Sequence, residues 1–153
     1  MYQYLMDCRK VEEIAARIYR IFAVQKIFSA EVKAVFQQLS QDEAAHARQL
    51  DLVIQADPRE VPVVARIARD KLNEVLALAA SYEEQAKHPE LREEDALRMA
   101  VKMEREFIKV HVQNVLTFRN QKLEKLFGEL AQGDQQHIDR LNARVTAWNE
   151  KNT

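Results

Sequence analysis

The chain has 153 residues, with 23 basic against 24 acidic side chains, a net charge of −1, two glycines, three prolines and a single cysteine. Charges this balanced and interspersed leave no electrostatic footprint for nucleic acid or an anionic membrane, and one cysteine, Cys8, excludes an internal disulfide framework or a CxxC metal ribbon. With 47% apolar and 31% charged residues and so few breakers, the composition describes a single all-α domain large enough for one core.

The first helix is expected over 3–27. Its amino-terminal stretch, MYQYLMDCRKVEEI, is charged at Asp7, Arg9, Lys10, Glu12 and Glu13, which is not the apolar segment of a signal peptide. No run approaches the ~20 apolar residues of a membrane span. A cytoplasmic protein is therefore expected. The helix carries an apolar stripe of Leu5, Cys8, Ala15, Tyr19 and Phe22, into which Glu12 intrudes. Arg9, Glu13, Arg17 and Arg20 fall outside, with Glu13 and Arg17 at i,i+4 pairing distance. Cys8 reads as a small core hydrophobe.

The second helix, 30–56, repeats the intrusion. In FQQLSQDEAAHARQL the stripe runs Phe36, Leu39, Glu43, His46, Leu50 and on to Val53, so a carboxylate and an imidazole stand where core residues belong. Residues 57–92 form a crossover, opened by DPREVP and closed by KHPELREED, with His88 in its closing loop. Its middle is helix-like, with Val64, Ile67, Ala68, Leu72, Val75, Leu76 and Ala79 on one stripe. That apolar stripe makes a homodimer or larger assembly an expectation.

The third helix, 93–119, places Leu97, Ala100, Val101, Glu104, Ile108, His111 and Val115 inward and Lys102, Glu106, Lys109 and Gln113 outward. The fourth, 121–149, has Leu123, Phe127, Leu130, Asp134, His137, Leu141, Val145 and Trp148 on its stripe. FGELAQGDQQHIDRL matches FQQLSQDEAAHARQL in register, displaced by 91 positions from Phe36 to Phe127, while Glu12 and Glu104 are displaced by 92. The match reads as an internal duplication. Folded as antiparallel hairpins turning near Ser29 and Asn120, both halves would set their polar residues ~24 Å from the turn at 1.5 Å per residue, and so at one depth.

Four carboxylates and two imidazoles, from Glu12, Glu43, His46, Glu104, Asp134 and His137, thus converge in one core layer. Two histidines cannot neutralise four buried carboxylates, and a positive charge is required. Oxygen and imidazole donors without thiolate suit two iron ions, or manganese; zinc would fit but be redox-silent. One Glu from each of two helices, with a carboxylate and a His three residues apart on each of the others, is the di-iron pattern of ferritin-like bundles. Tyr19 and His111, each seven residues beyond a stripe Glu, are candidates to hydrogen-bond those ligands from outside.

The segments EEIAARIY, DEAAHARQL, ALRMAVKME and GDQQHIDRL, in this order, resemble the four ligand-bearing segments of the rubrerythrin family. The resemblance implies a ferritin-like four-helix bundle with those six residues as metal ligands. It also implies reduction of peroxide or dioxygen, or oxidation of ferrous iron. The sequence departs from the family in three places. With one cysteine and an end at Thr153, no rubredoxin-like domain is expected, and an external electron donor is expected in its place. Asp134 stands where the family has Glu, and Phe107 where the family has a further Glu three residues after the third-helix ligand. Two other readings use the same residues: a non-catalytic iron storage or trafficking protein, and a metal-free helical interaction module whose polar layer sets packing register.

Overall fold

The computed structural model describes residues 2–56, 66–118 and 121–152. They form five helices and no strand: α1 (Tyr2–Ala23), α2 (Ala30–Ala56), α3 (Arg66–Ala86), α4 (Glu93–Thr117) and α5 (Gln121–Lys151). Among the described residues no helix is long and apolar enough to cross a membrane. α1 packs most extensively on α2, and α4 on α5; α3 lies against α1 and α4, and α2 meets α5.

α1 stops at Ala23 and not at residue 27. Val24 and Ile27 extend the apolar periodicity in sequence only, since they are 72% and 66% exposed. The chain turns through short backbone bonds from Gln25 to Phe22 and from Phe28 to Gln25, which brings the Phe28 ring back to 6.2 Å from that of Phe22. Ser29 then starts α2. Its Oγ accepts from the Val32 backbone N–H at 3.3 Å, and its own N–H donates to Glu93 at 2.6 Å, tying the start of α2 to that of α4. Asn120, the expected second turn residue, lies outside the described residues, as do Pro58 and Pro62 of the crossover and Val64 of its stripe.

Between α1 and α2, Arg9 meets Asp51, Glu12 lies 3.7 Å from His46, and the Ser40 hydroxyl donates to the Ala16 carbonyl at 2.8 Å. The stripe residues Leu5, Cys8, Ala15, Tyr19, Phe22, Phe36, Leu39, Leu50, Phe127, Leu130 and Leu141 are all buried. On α3, Ala68, Leu72, Val75 and Ala79 are buried within this one chain, where α3 packs on α1 and α4, and Leu76 is half-buried.

Two expectations about charged residues are corrected by α3. Glu13 pairs with Arg9 at 3.3 Å; Arg17 instead forms a two-point fork on Glu83 of α3, at 2.6 and 3.2 Å. The rigid guanidinium plane gains more from that bidentate partner than from a carboxylate on its own helix. Glu106, expected to face outward, is only 7% exposed, because α3 packs over that side of α4. Lys71 of α3, Lys102 at 3.1 Å and Lys109 at 3.0 Å surround its carboxylate. Burial works against the charge, but the three ammonium groups hold the Glu106 carboxyl down at about 2.

Candidate metal centre

The inward polar residues meet at one level of the bundle. α1 contributes Glu12, α2 Glu43 and His46, α4 Glu104 and His111, and α5 Asp134 and His137. The four carboxylates are 0% exposed, and His111 and His137 are each 2% exposed. The helical rule that aligns residues three apart on one face places Glu43 beside His46 and Asp134 beside His137.

Two groups of donors result. Donor atoms of Glu43, Glu104, Asp134 and His137 all lie within 4.8 Å of one another, and so do those of Glu12, Glu43 and His46. Glu43 belongs to both. His137 Nδ1 is 3.0 Å from Glu43 and 3.3 Å from Glu104; His46 Nδ1 is 3.3 Å from Glu43 and 3.7 Å from Glu12. Both rings therefore turn Nδ1 toward the carboxylates, and they stack with centroids 5.9 Å apart.

The two further candidates occupy matching places across the pseudo-repeat. The Tyr19 hydroxyl donates to Glu104 at 2.8 Å, and His111 Nε2 is 2.9 Å from Glu12. His111 also reaches Asp134 through Nδ1 at 2.5 Å, so it spans two carboxylates of the layer. Asp42 was not among the residues singled out from the sequence, yet its carboxylate is 3.0 Å from His137 Nε2. Its position one residue before Glu43 carries no stripe signal, because it faces α5 obliquely and not the centre of the core. Phe107, one turn beyond Glu104, is buried at 1% exposure among core residues.

Electrostatics show how crowded the layer is. Burial pushes Glu43 well above the carboxylate range, and Glu104 and Glu12 add to the effect. Burial also acts on Glu12, but the close approach of Glu43, His111 and His46 overrides it and holds Glu12 well below that range. Asp134 rises to about 7, again through burial, against the pull of His111. Burial disfavours charge on the imidazoles too, yet the facing carboxylates raise His46 to about 11, His111 to about 10 and His137 to about 12. Burial, then the Glu104 charge, keeps the Tyr19 hydroxyl protonated.

Even with three imidazoles present, both oxygens of Glu12, Oε1 of Glu43, Oε2 of Glu104 and Oδ1 of Asp134 are buried without a hydrogen bond. Orphaned carboxylate oxygens are costly in a core, and a divalent cation at each donor group would satisfy them. The donors are oxygen and imidazole only, with Cys8 buried and its thiol pushed up by desolvation, so the set fits iron or manganese.

Comparison with known proteins places this arrangement in context. A family model described as Rubrerythrin matches residues 3–145. No curated protein and no solved structure matches the chain.

Proposed function

Since the chain belongs to the rubrerythrin family, we propose that it is a di-iron carboxylate oxidoreductase that reduces peroxide or dioxygen, or oxidises ferrous iron, with electrons from an external donor. The observation that carries this reading is the set of orphaned buried carboxylate oxygens, gathered into two donor groups that share Glu43. The contacts from Arg9 to Asp51, Glu12 to His46 and Ser40 to Ala16, in reversed order along the two helices, support a ferritin-like bundle of antiparallel hairpins.

In this reading Glu12, Glu43 and His46 hold one ion, and Glu43, Glu104, Asp134 and His137 the other. A pair of iron ions supplies one-electron steps at two adjacent centres, which the side chains alone cannot provide. The chain's residues set the conditions. Apolar packing by Phe36, Phe127 and Leu130 excludes water from the layer. Tyr19 orients Glu104 through its hydrogen bond, and His111 turns Nε2 to Glu12 and Nδ1 to Asp134, so that it can hold a proton between them. A cleft of about 380 Å³ between α2 and α5, lined in part by His46 and His137, gives a small oxidant or an ion a path from solvent.

Elemental analysis of the iron-reconstituted protein tests the site, with about two ions per chain expected and a sharp fall in Glu43→Ala and His137→Ala. An absorption spectrum taken anaerobically, then after peroxide or dioxygen with a reductant present, tests the reaction. Unchanged metal content in both variants overturns the site. Two bound ions without turnover overturn the oxidoreductase reading and leave iron storage.

A further inference from the structure

The 91-residue repeat pairs each polar residue of one half with a counterpart in the other, and at one position the counterparts are chemically opposite. Asp42 in the first half corresponds to Gly133 in the second. Asp42 stands over the ring of His137, and Gly133 over the ring of His46.

The two rings are consequently held in different ways. Asp42 Oδ2 is 3.0 Å from His137 Nε2, while Oδ1 accepts from Gln38 at 2.9 Å and Arg140 approaches Oδ2 at 3.8 Å. With Nε2 occupied by Asp42, Nδ1 of His137 is left facing Glu43 and Glu104. His46 has its own Nδ1 against Glu43 and Glu12, but behind it lies the bare backbone of Gly133. A Cβ there would sit 3.1 Å from both Cε1 and Nε2 of the ring. Among the described residues no carboxylate stands against His46 Nε2. Both rings border the cleft between α2 and α5, but the His46 side chain is 13% exposed, against 3% for His137.

A carboxylate on the far nitrogen of a ligating histidine fixes its tautomer and ring angle and makes the near nitrogen a better donor. Losing such a partner typically lowers metal affinity by ~10- to 100-fold. The number of donors points the same way, with four residues in the His137 group and three in the His46 group. We propose that the two ion positions are unequal by construction: Asp42 is a positioning residue that makes the Glu43, Glu104, Asp134 and His137 position fill first and tightly. The Glu12, Glu43 and His46 position fills second and exchanges its ion more readily. This rests on the ion-binding reading above.

Competition titration of the full chain with Co²⁺ or Zn²⁺ against a chromophoric chelator measures both steps without any turnover. The wild type is expected to bind in two resolved steps. Asp42→Ala should weaken the first ~10- to 100-fold while leaving the second within ~3-fold, and Asp42→Asn, which keeps an acceptor but not the charge, should recover part of the loss. With Co²⁺, the visible bands of the first-bound ion should change in Asp42→Ala and those of the second should not, a selectivity that a general loosening of the fold would not produce. Two equal steps in the wild type, or equal weakening of both steps or of neither in Asp42→Ala, overturns the proposal while the ion-binding reading stands. Binding of neither ion overturns both.

Discussion

Glu43→Gln separates two effects that most substitutions in this layer would mix. Glu43 is the residue common to both donor groups, and burial with its neighbouring carboxylates pushes it well above the usual range, which favours its neutral form in the metal-free protein. A glutamine there has nearly the same shape and keeps a neutral polar group facing Glu12. Without metal, the variant should therefore melt within ~3 °C of the wild type, the equivalent of about 1 kcal/mol for a domain of this size. Metal should act very differently on the two proteins. An ion at 100 times its dissociation constant adds ~2.7 kcal/mol of stability, so two independent positions add ~5 kcal/mol, or roughly 10 to 20 °C in melting temperature. The amide cannot serve as an anionic donor to either position, and the gain in Glu43→Gln should fall by at least half. Circular dichroism melts of chelator-treated and Zn²⁺- or Mn²⁺-loaded protein at pH 7 give all four numbers. A wild type that gains nothing from metal, or a variant that gains as much as the wild type, would refute the reasoning.

Three further outcomes are expected. Tyr19→Phe removes the 2.8 Å donor from buried Glu104, and urea unfolding should show a loss of ~1.5 to 3 kcal/mol; under ~0.5 kcal/mol would mean that His137, 3.3 Å from the same carboxylate, suffices without it. Glu106 is held at about 2 instead of 4.5, so its contribution is fully present above pH 4.5 and lost as pH falls toward 2. Solvent around half-exposed Lys102 and Lys109 limits it to ~1 to 2 kcal/mol, and the stability advantage of wild type over Glu106→Gln, measured at pH 7 and pH 3, should shrink by somewhat over half of that amount in acid. Phe107→Glu adds a carboxylate one turn from Glu104, and stopped-flow mixing of the anaerobic ferrous protein with hydrogen peroxide should show faster oxidation than in the parent; an equal rate would leave Phe107 as core packing alone.

The helices and the inward polar residues were legible because both obey the 3.6-residue period of a single helix. Glu12 and Glu13 are adjacent, yet the stripe sorts them correctly into 0% exposed and exposed. Periodicity fails where a neighbouring helix decides. Glu106 is buried because α3 crosses that side of α4, Arg17 leaves Glu13 for Glu83 of α3, and Asp42 finds His137 only through the azimuth at which α2 meets α5. None of these depends on spacing within one segment. The end of α1 was misplaced for a related reason: Val24 and Ile27 look like core residues in sequence, and only the turn back through Phe28 leaves them in solvent.

The correspondence of Tyr19 with His111, and of Asp42 with Gly133, has a consequence for how such a site can change over time. If two identical hairpins associated as separate chains, every substitution would appear twice, and a tyrosine over Glu104 would require a tyrosine over Glu12. Joined in one polypeptide, the halves are free of that constraint. Here Tyr19 faces Glu104 while His111 faces Glu12, and a carboxylate faces His137 while a hydrogen atom faces His46. Within one polypeptide either half can change without the other, so the two ends of the centre can be tuned to different tasks by single substitutions.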